Sequence, residues 1–289
     1  MDISDIDVVI FNIYNYLNRP FIRFITEHNL KELEGARIHI FTLEDIENNF
    51  IPKLKQTKWV FDTKYGWSFI TDEARCYLAT QYKNCLYLDA DAYLSRRYVK
   101  EMINSSNETI LPGIFSETFS TNIFLSKNYG KGVLEKIYHL YEETENTEDY
   151  KLNDSQFITS KIPLSERLKI IQECQAPQPR PLETFHFGYG KFLHYYWYDL
   201  PKNNVVAYTT KDISIDSPLL DKYNIIWVIK KFSNTYMETD KSSKKTIYYL
   251  ETGEYPFEKI IGLFLLDVAY AGMQIGVSPK FIDITNEIV

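Results

Sequence analysis

Cys85-Leu86-Tyr87-Leu88-Asp89-Ala90-Asp91-Ala92-Tyr93 decides the fold: an apolar run closes on two aspartates one residue apart. A short continuous apolar run is the pattern of a strand buried on both faces. Working back from it, Ser68–Gln81 has helical spacing, Arg37–Phe41 alternates around Ile38 and Ile40 as a strand, Arg19–Asn29 reads as a helix, and Val8-Val9-Ile10-Phe11 is another buried strand. Strand–helix–strand alternation of this kind predicts an α/β fold, with a mixed, mostly parallel central sheet flanked by helices. Ligands of such sheets bind beyond the carboxyl ends of the strands, which is where the two aspartates fall.

Working forward, Ile123–Leu125 reads as a strand and Lys131–Tyr141 as a helix. Glu142–Asp149 reads as a solvated acidic stretch, and the proline-rich Gln175–Pro181 as an extended connection. Past Asp199 the pattern gives a strand at Ile225–Ile229, an exposed turn at Lys241–Lys245 and a helix at Phe257–Met273. The expected organisation is a catalytic domain over residues 1–200 and a C-terminal helical and strand extension over 201–289, packed on it.

Composition narrows the class of protein. The 289 residues carry 32 Lys+Arg against 39 Asp+Glu, a net charge of −7, which argues against a nucleic-acid binder. Aromatic residues make up 16 %, too much buriable surface for a disordered chain, and the 23 tyrosines offer flat faces for stacking. Cys76, Cys85 and Cys174 are odd in number and lack CxxC spacing, so neither a disulfide framework nor a zinc ribbon is expected. Met1–Asp7 lacks the basic residues of a secretory signal. The apolar stretch Ile260–Met273 is broken by Asp267 and is shorter than the ~20 residues a membrane span needs. A cytoplasmic protein without a transmembrane segment is the expectation.

Strand alternation would send Asp89 and Asp91 to one side and Ala90 to the other. Two carboxylates side by side at a buried strand's end are costly unless a positive group lies between them. A hard divalent cation, Mg²⁺ or Mn²⁺, fits all-oxygen donors and keeps open positions for phosphate oxygens. Two chemistries use such a pair. Haloacid-dehalogenase phosphohydrolases use the first aspartate as nucleophile, but place Thr or Val two residues beyond the second, where this chain has Tyr93, and carry the motif near the N-terminus. Metal-dependent sugar-nucleotide transferases use it as a DxD motif, the better fit.

Thr71-Asp72-Glu73-Ala74-Arg75 followed by Tyr87-Leu88-Asp89-Ala90-Asp91 resembles the arginine-bearing helix and "YLDxD" strand of the retaining GT-A glycosyltransferases, above all glycosyltransferase family 8, with features of family 32 and of the clostridial-toxin type. The resemblance covers about residues 7–200 and implies a GT-A, Rossmann-like fold. It places Asp72 and Arg75 beside the nucleotide sugar and gives Asp89 and Asp91 the metal and ribose. Asn12-Ile13-Tyr14-Asn15-Tyr16 resembles the segment whose ring packs on uracil, making Tyr14 and Tyr16 candidates for the base. Asn153-Asp154-Ser155-Gln156-Phe157 resembles the sugar-facing "NDQD" segment, in which Asp154 and Gln156 touch the transferred sugar. Ser120-Thr121-Asn122-Ile123 resembles the strand whose asparagine, here Asn122, does the same. His186-Phe187-Gly188-Tyr189-Gly190-Lys191, with Trp197 beyond, is similar to "HxxGxxKPW", in which the histidine completes the metal shell and the lysine meets the diphosphate. Here glycine and lysine stand one place early and no Pro-Trp follows.

What the resemblance implies is a Mn²⁺- or Mg²⁺-dependent hexosyltransferase moving a sugar from a UDP-sugar to a glycan or protein acceptor with retention. The alternatives are a haloacid-dehalogenase type phosphohydrolase and a non-catalytic nucleotide-sugar-binding module.

Overall fold

The computed structural model describes residues 1–46, 66–144, 154–187, 195–233, 235 and 237–288. They form two compact units: the first from Met1–Tyr16 and Glu27–Thr184, the second from Leu17–Thr26 and Phe185–Val289.

The first unit carries β1 (Asp7–Asn12), β2 (Arg37–Thr42), β3 (Cys85–Leu88), β4 (Ala92–Leu94), β5 (Thr109–Ile110), β6 (Ile114–Phe115), β7 (Thr118–Phe119) and β8 (Ile123–Ser126). Its helices include α1 (Pro20–Glu32), which the second unit shares, α2 (Gly66–Gln81), α3 (Arg96–Asn104), α4 (Val133–Glu142), α5 (Asp154–Lys161) and α6 (Leu164–Glu173). Among the described residues its five-stranded sheet runs β2-β1-β3-β8-β5. β1 pairs in parallel with β2 and β3, whereas β8 runs antiparallel to β3 and β5. The expected α/β class, with a mostly parallel sheet and flanking helices, is what the structure shows.

The continuous apolar runs are strands because both their faces are covered. Val9, Phe11, Tyr87 and Phe124 lie on the face that packs with Phe69, Ala74 and Leu78 of α2 and Leu134, Ile137 and Tyr141 of α4. Val8, Ile10 and Leu86, which point the other way, are just as buried. β2 differs from its expected pattern. It is the sheet's edge, so Ile40 stays exposed while Phe41 turns in to meet Phe11 at a ring separation of 6.3 Å. Most of the acidic run Glu142–Asp149 lies outside the described residues.

The second unit has a sheet of its own. After β9 (Thr184–His186), β10 (Val205–Thr209), β11 (Ile225–Lys230), β12 (Met237–Asp240), β13 (Lys245–Glu251) and β14 (Lys280–Asp283) stand in the order β12-β13-β11-β10-β14, parallel except for β12. The lysine turn is one residue shorter than expected, since Lys245 opens β13 and pairs with Asp221 at 2.7 Å. Trp227 stacks on Tyr248 (4.9 Å) and meets Tyr195 and Phe264 on its other sides. Asp267 is fully buried on the helix Phe257–Gln274, and it receives the Arg19 guanidinium at 3.5 Å and the Phe21 amide. The polar break in that apolar stretch is thus the anchor of Leu17–Thr26. Among the described residues no helix is long and apolar enough to cross a membrane.

At the amino end of β1, Asp7 accepts from Arg37 Nε (2.9 Å) and Nη2 (2.8 Å) and lies 2.9 Å from His39 Nε2, tying β1 to β2. The Arg37 hydrogen bonds hold the Asp7 carboxyl below its usual range. A depressed carboxyl stabilises the fold above its unfolded pKa and loses that contribution as pH falls through the lower, folded value. Asp7→Asn should therefore cost about 1 kcal/mol at pH 7, modest because Arg37 is largely exposed. In urea titrations the gap to wild type should close as pH drops through and below the ordinary carboxylate range, about 3.9.

Candidate active site

In a sheet ordered β2-β1-β3, the chain leaves β1 toward β2 on one side and later adds β3 on the other, so the crevice beyond the carboxyl ends of β1 and β3 is a topological switch point. Asn12 ends β1, followed by a 3₁₀ turn over Ile13–Asn18, and Asp89 follows Leu88 directly. β8 brings a third segment to the same end. Because it runs antiparallel, with Ile123 opposite Leu88, the residues that precede it, Ser120-Thr121-Asn122, lie beside Asp89.

Asp89 and Asp91 are brought together, but not by strand alternation. β3 stops at Leu88, and Ala92 N donates to Asp89 O (2.9 Å), closing a tight turn over Asp89–Ala92. The expected continuous strand is corrected to a turn between β3 and β4, and the turn sets carboxylate oxygens of the two residues within 4.8 Å of one another. Asp91 is buried and Asp89 half-buried. Asp89 N donates to Asn122 O (2.9 Å), and Tyr87, on the same face as Asp89, donates its hydroxyl to Asp89 Oδ1 (2.5 Å). Burial and the Asp89 charge push the Tyr87 phenol far above its ordinary value, which keeps it protonated and donating.

Behind the pair sits Arg75, 3 % exposed on α2. Nε donates to Thr121 Oγ1 (2.9 Å), Nη1 to Asp89 Oδ1 (3.3 Å), and Nη2 to both Asp72 Oδ1 (2.7 Å) and Asp154 Oδ2 (2.9 Å). Its guanidinium carbon stands 5.3 Å from the centre of the Tyr87 ring. Burial works against its charge, but Asp72, Asp154 and Asp89 outweigh it and hold the Arg75 pKa well above its usual value. Asp72 faces this cluster. Its neighbour Glu73 is also buried, and burial, with Glu142 of α4 adding to it, raises its carboxyl to about 8.

Asp154 opens α5 and is buried. Besides Arg75 it accepts from Thr121 N (2.5 Å), Thr121 Oγ1 (3.0 Å), Ser120 Oγ (3.1 Å) and Ser155 N (2.8 Å). Gln156 lies exposed in the same first turn. Asn122 is buried, its backbone amide donating to Ser120 Oγ (3.2 Å). The fold thus joins Asp72, Arg75, Asp89, Asp91, Asn122 and Asp154 in one cluster. Tyr14 and Tyr16 follow β1 in the 3₁₀ turn, but their side chains lie outside the described residues, as do Lys191 and Asn153. His186 is half-buried and belongs to the second unit. Thr121 and the Tyr87 hydroxyl were not among the expected site residues. The period-2 spacing of Tyr87 and Asp89 is the signal that could have found the latter.

No family model and no curated protein matches the chain. Among solved structures it is similar to the apo form of the glycosyltransferase GlyE of Streptococcus pneumoniae TIGR4, at 10 % identity over 96 % of this chain and 90 % of that one, TM-score 0.36. It is also similar to the galactosyltransferase LgtC in complex with donor and acceptor sugar analogues, at 12 % identity over 89 % and 94 %, TM-score 0.38. A third is a glycosyltransferase involved in glycosylation of the major capsid of PBCV-1, at 12 % identity over 59 % and 80 %, TM-score 0.35. Likenesses this distant carry no functional weight.

Arg75→Met would leave the buried Asp72 and Asp154 and the half-buried Asp89 without their shared cation. The expected loss is about 3–5 kcal/mol of unfolding free energy at pH 7, read by urea titration. Arg75→Lys should recover only part of it, because one ammonium cannot reproduce the guanidinium's divergent donors.

Proposed function

We propose that this chain is a glycosyltransferase that takes a sugar from a UDP-sugar and passes it, with retention at the anomeric carbon, to a glycan or protein acceptor in the cytoplasm. The observation that carries the reading is the Asp89–Asp91 pair, held within 4.8 Å by a turn at the switch point of a mostly parallel sheet and backed by a buried arginine.

The Asp89–Asp91 pair fits a hard divalent cation: two carboxylates with oxygens close enough to share one ion, in a setting already oversupplied with negative charge. Asp89 and Asp91 would hold Mn²⁺ or Mg²⁺, with His186 as third ligand by the motif in which it stands. Such a cation, when bound, supplies the positive charge that a departing diphosphate requires. Arg75 holds Asp89 in place through its Nη1 and fixes Asp154 and Asp72 through Nη2. Tyr87 holds the remaining freedom of Asp89, which also faces the ribose. Tyr14 and Tyr16 stack on the base. Asp154, Gln156 and Asn122 form the sugar-facing wall, and Lys191 meets the diphosphate. No side chain of the cluster stands out as a covalent nucleophile, so the acceptor attacks from the face the diphosphate leaves, and a phosphate oxygen of the leaving group takes the acceptor proton.

Calorimetric titration with UDP, with and without Mn²⁺, tests the reading. Wild type should bind UDP in a Mn²⁺-dependent way, and Asp89→Ala or Asp91→Ala should weaken that binding by about 100-fold, the size expected for losing a ligand of a shared cation. A panel of UDP-sugars should then give slow UDP release without acceptor. Full UDP affinity in both variants would sink the assignment, and phosphate release from a simple monoester would favour the phosphohydrolase instead. UDP binding with neither hydrolysis nor transfer would leave a binding module.

A further inference from the structure

Asn122 carries the polar atom that the cluster leaves unsatisfied. Its backbone is fixed on both sides, by Asp89 N on its carbonyl and by Ser120 Oγ on its amide, yet among the described residues its buried Oδ1 has no donor within reach. A buried acceptor without a partner is unfavourable and is rare in folded proteins. It is retained where something other than the chain supplies the hydrogen bond.

What holds the carboxamide in that position is the absence of a side chain. Gly113 lies in the segment joining β5 to β6, and its carbonyl accepts from Ser120 N (2.8 Å), which pins it against the residues that lead into β8. A Cβ at Gly113 would meet Asn122 Oδ1 at 2.9 Å, Ser120 Cβ at 3.3 Å and Ser120 O at 3.4 Å. The first contact is closer than carbon and oxygen tolerate, and the atom that would give way is the end of the Asn122 side chain, not backbone. An alanine here is therefore expected to leave the fold intact and turn the carboxamide.

We propose that Gly113 is a positioning residue of the donor site: its missing side chain seats the Asn122 carboxamide beside Asp89, where a hydroxyl of the donor's sugar supplies the hydrogen bond that Oδ1 lacks. This rests on the nucleotide-sugar reading above and assigns a specificity role to a residue outside every motif.

The test is calorimetry with Mn²⁺ and three probes, UDP, UDP-glucose and UDP-galactose, on wild type, Gly113→Ala, Asn122→Ala and the double variant. In wild type at least one UDP-sugar should bind more tightly than UDP. Gly113→Ala should leave UDP affinity unchanged and weaken the preferred UDP-sugar by about tenfold, the worth of one hydrogen bond to a well-placed partner. In the Asn122→Ala background the same substitution should change nothing further, because the group it displaces is gone. All four proteins should melt within a few degrees of one another. Equal losses for UDP and UDP-sugar, full additivity with Asn122→Ala, or no sugar-dependent gain in wild type would each overturn the role of Gly113 while leaving UDP binding intact. Absence of Mn²⁺-dependent UDP binding in wild type would instead overturn the reading on which it rests.

Discussion

A single guanidinium, buried on α2 and shared by Asp72, Asp89 and Asp154, is the constraint on which the rest of the site depends. Removing an ion from water costs several kcal/mol even in a relaxed protein interior, and only close, well-directed partners recover it. Arg75 has such partners on three different elements: its own helix, the turn after β3 and the start of α5. Each carboxylate is likewise tolerable only because the guanidinium is there. The four groups cannot be moved one at a time, so the helix, the turn and α5 are locked to one another by charge as well as by the apolar packing beneath them. Arginine suits the task because its donors diverge in one plane and can serve three acceptors at once.

Backbone direction does the remaining placement. Parallel pairing of β1 with β3 sends both carboxyl ends to one edge of the sheet and puts the turn Asp89–Ala92 there. The antiparallel course of β8 matters as much. Had β8 run parallel to β3, Ser120, Thr121 and Asn122 would lie at the opposite edge, and Asp89 N, Arg75 Nε and Asp154 would lose their partners. A mixed sheet is thus what lets residues leading into one strand complete a site built from residues leaving another.

The runs Val8–Phe11 and Cys85–Leu88 were legible because a strand covered on both faces must be apolar at every position, a local property. The edge position of β2 was not, since Ile38 and Ile40 alternate as a half-buried strand would, and only the sheet order shows that Ile40 faces solvent. Asp89 and Asp91 were legible as a pair although the reason differs: a turn closed by Ala92 N, not alternation, brings them together. The burial of Arg75 could not be read from sequence, because Asp72, Asp89 and Asp154 converge on it only in three dimensions. Nor could the membership of Leu17–Thr26 in the second unit, which depends on Asp267, nearly 250 residues away, meeting Arg19 and the Phe21 amide. The apolar pattern of the C-terminal region showed one strand clearly, Ile225–Ile229, which the structure extends by Lys230, since it is the central strand of its sheet and those five residues are buried.

The charge count of the cluster also bears on the order in which a nucleotide sugar would assemble on it. Asp72, Asp89 and Asp154 face Arg75 and Asp91 lies beside Asp89, so the described residues of this cluster carry a surplus of negative charge. A carboxylate and a phosphate about 4 Å apart repel by about 4 kcal/mol at the effective dielectric of a protein surface. A diphosphate alone therefore meets a barrier at the point where its oxygens must come closest. The buried arginine cannot remove that barrier, because its donors are already committed to Thr121 and three carboxylates. On the proposed reading a divalent cation must arrive before the diphosphate or together with it, and the buried arginine serves to keep Asp89 aligned for that cation rather than to grip phosphate itself.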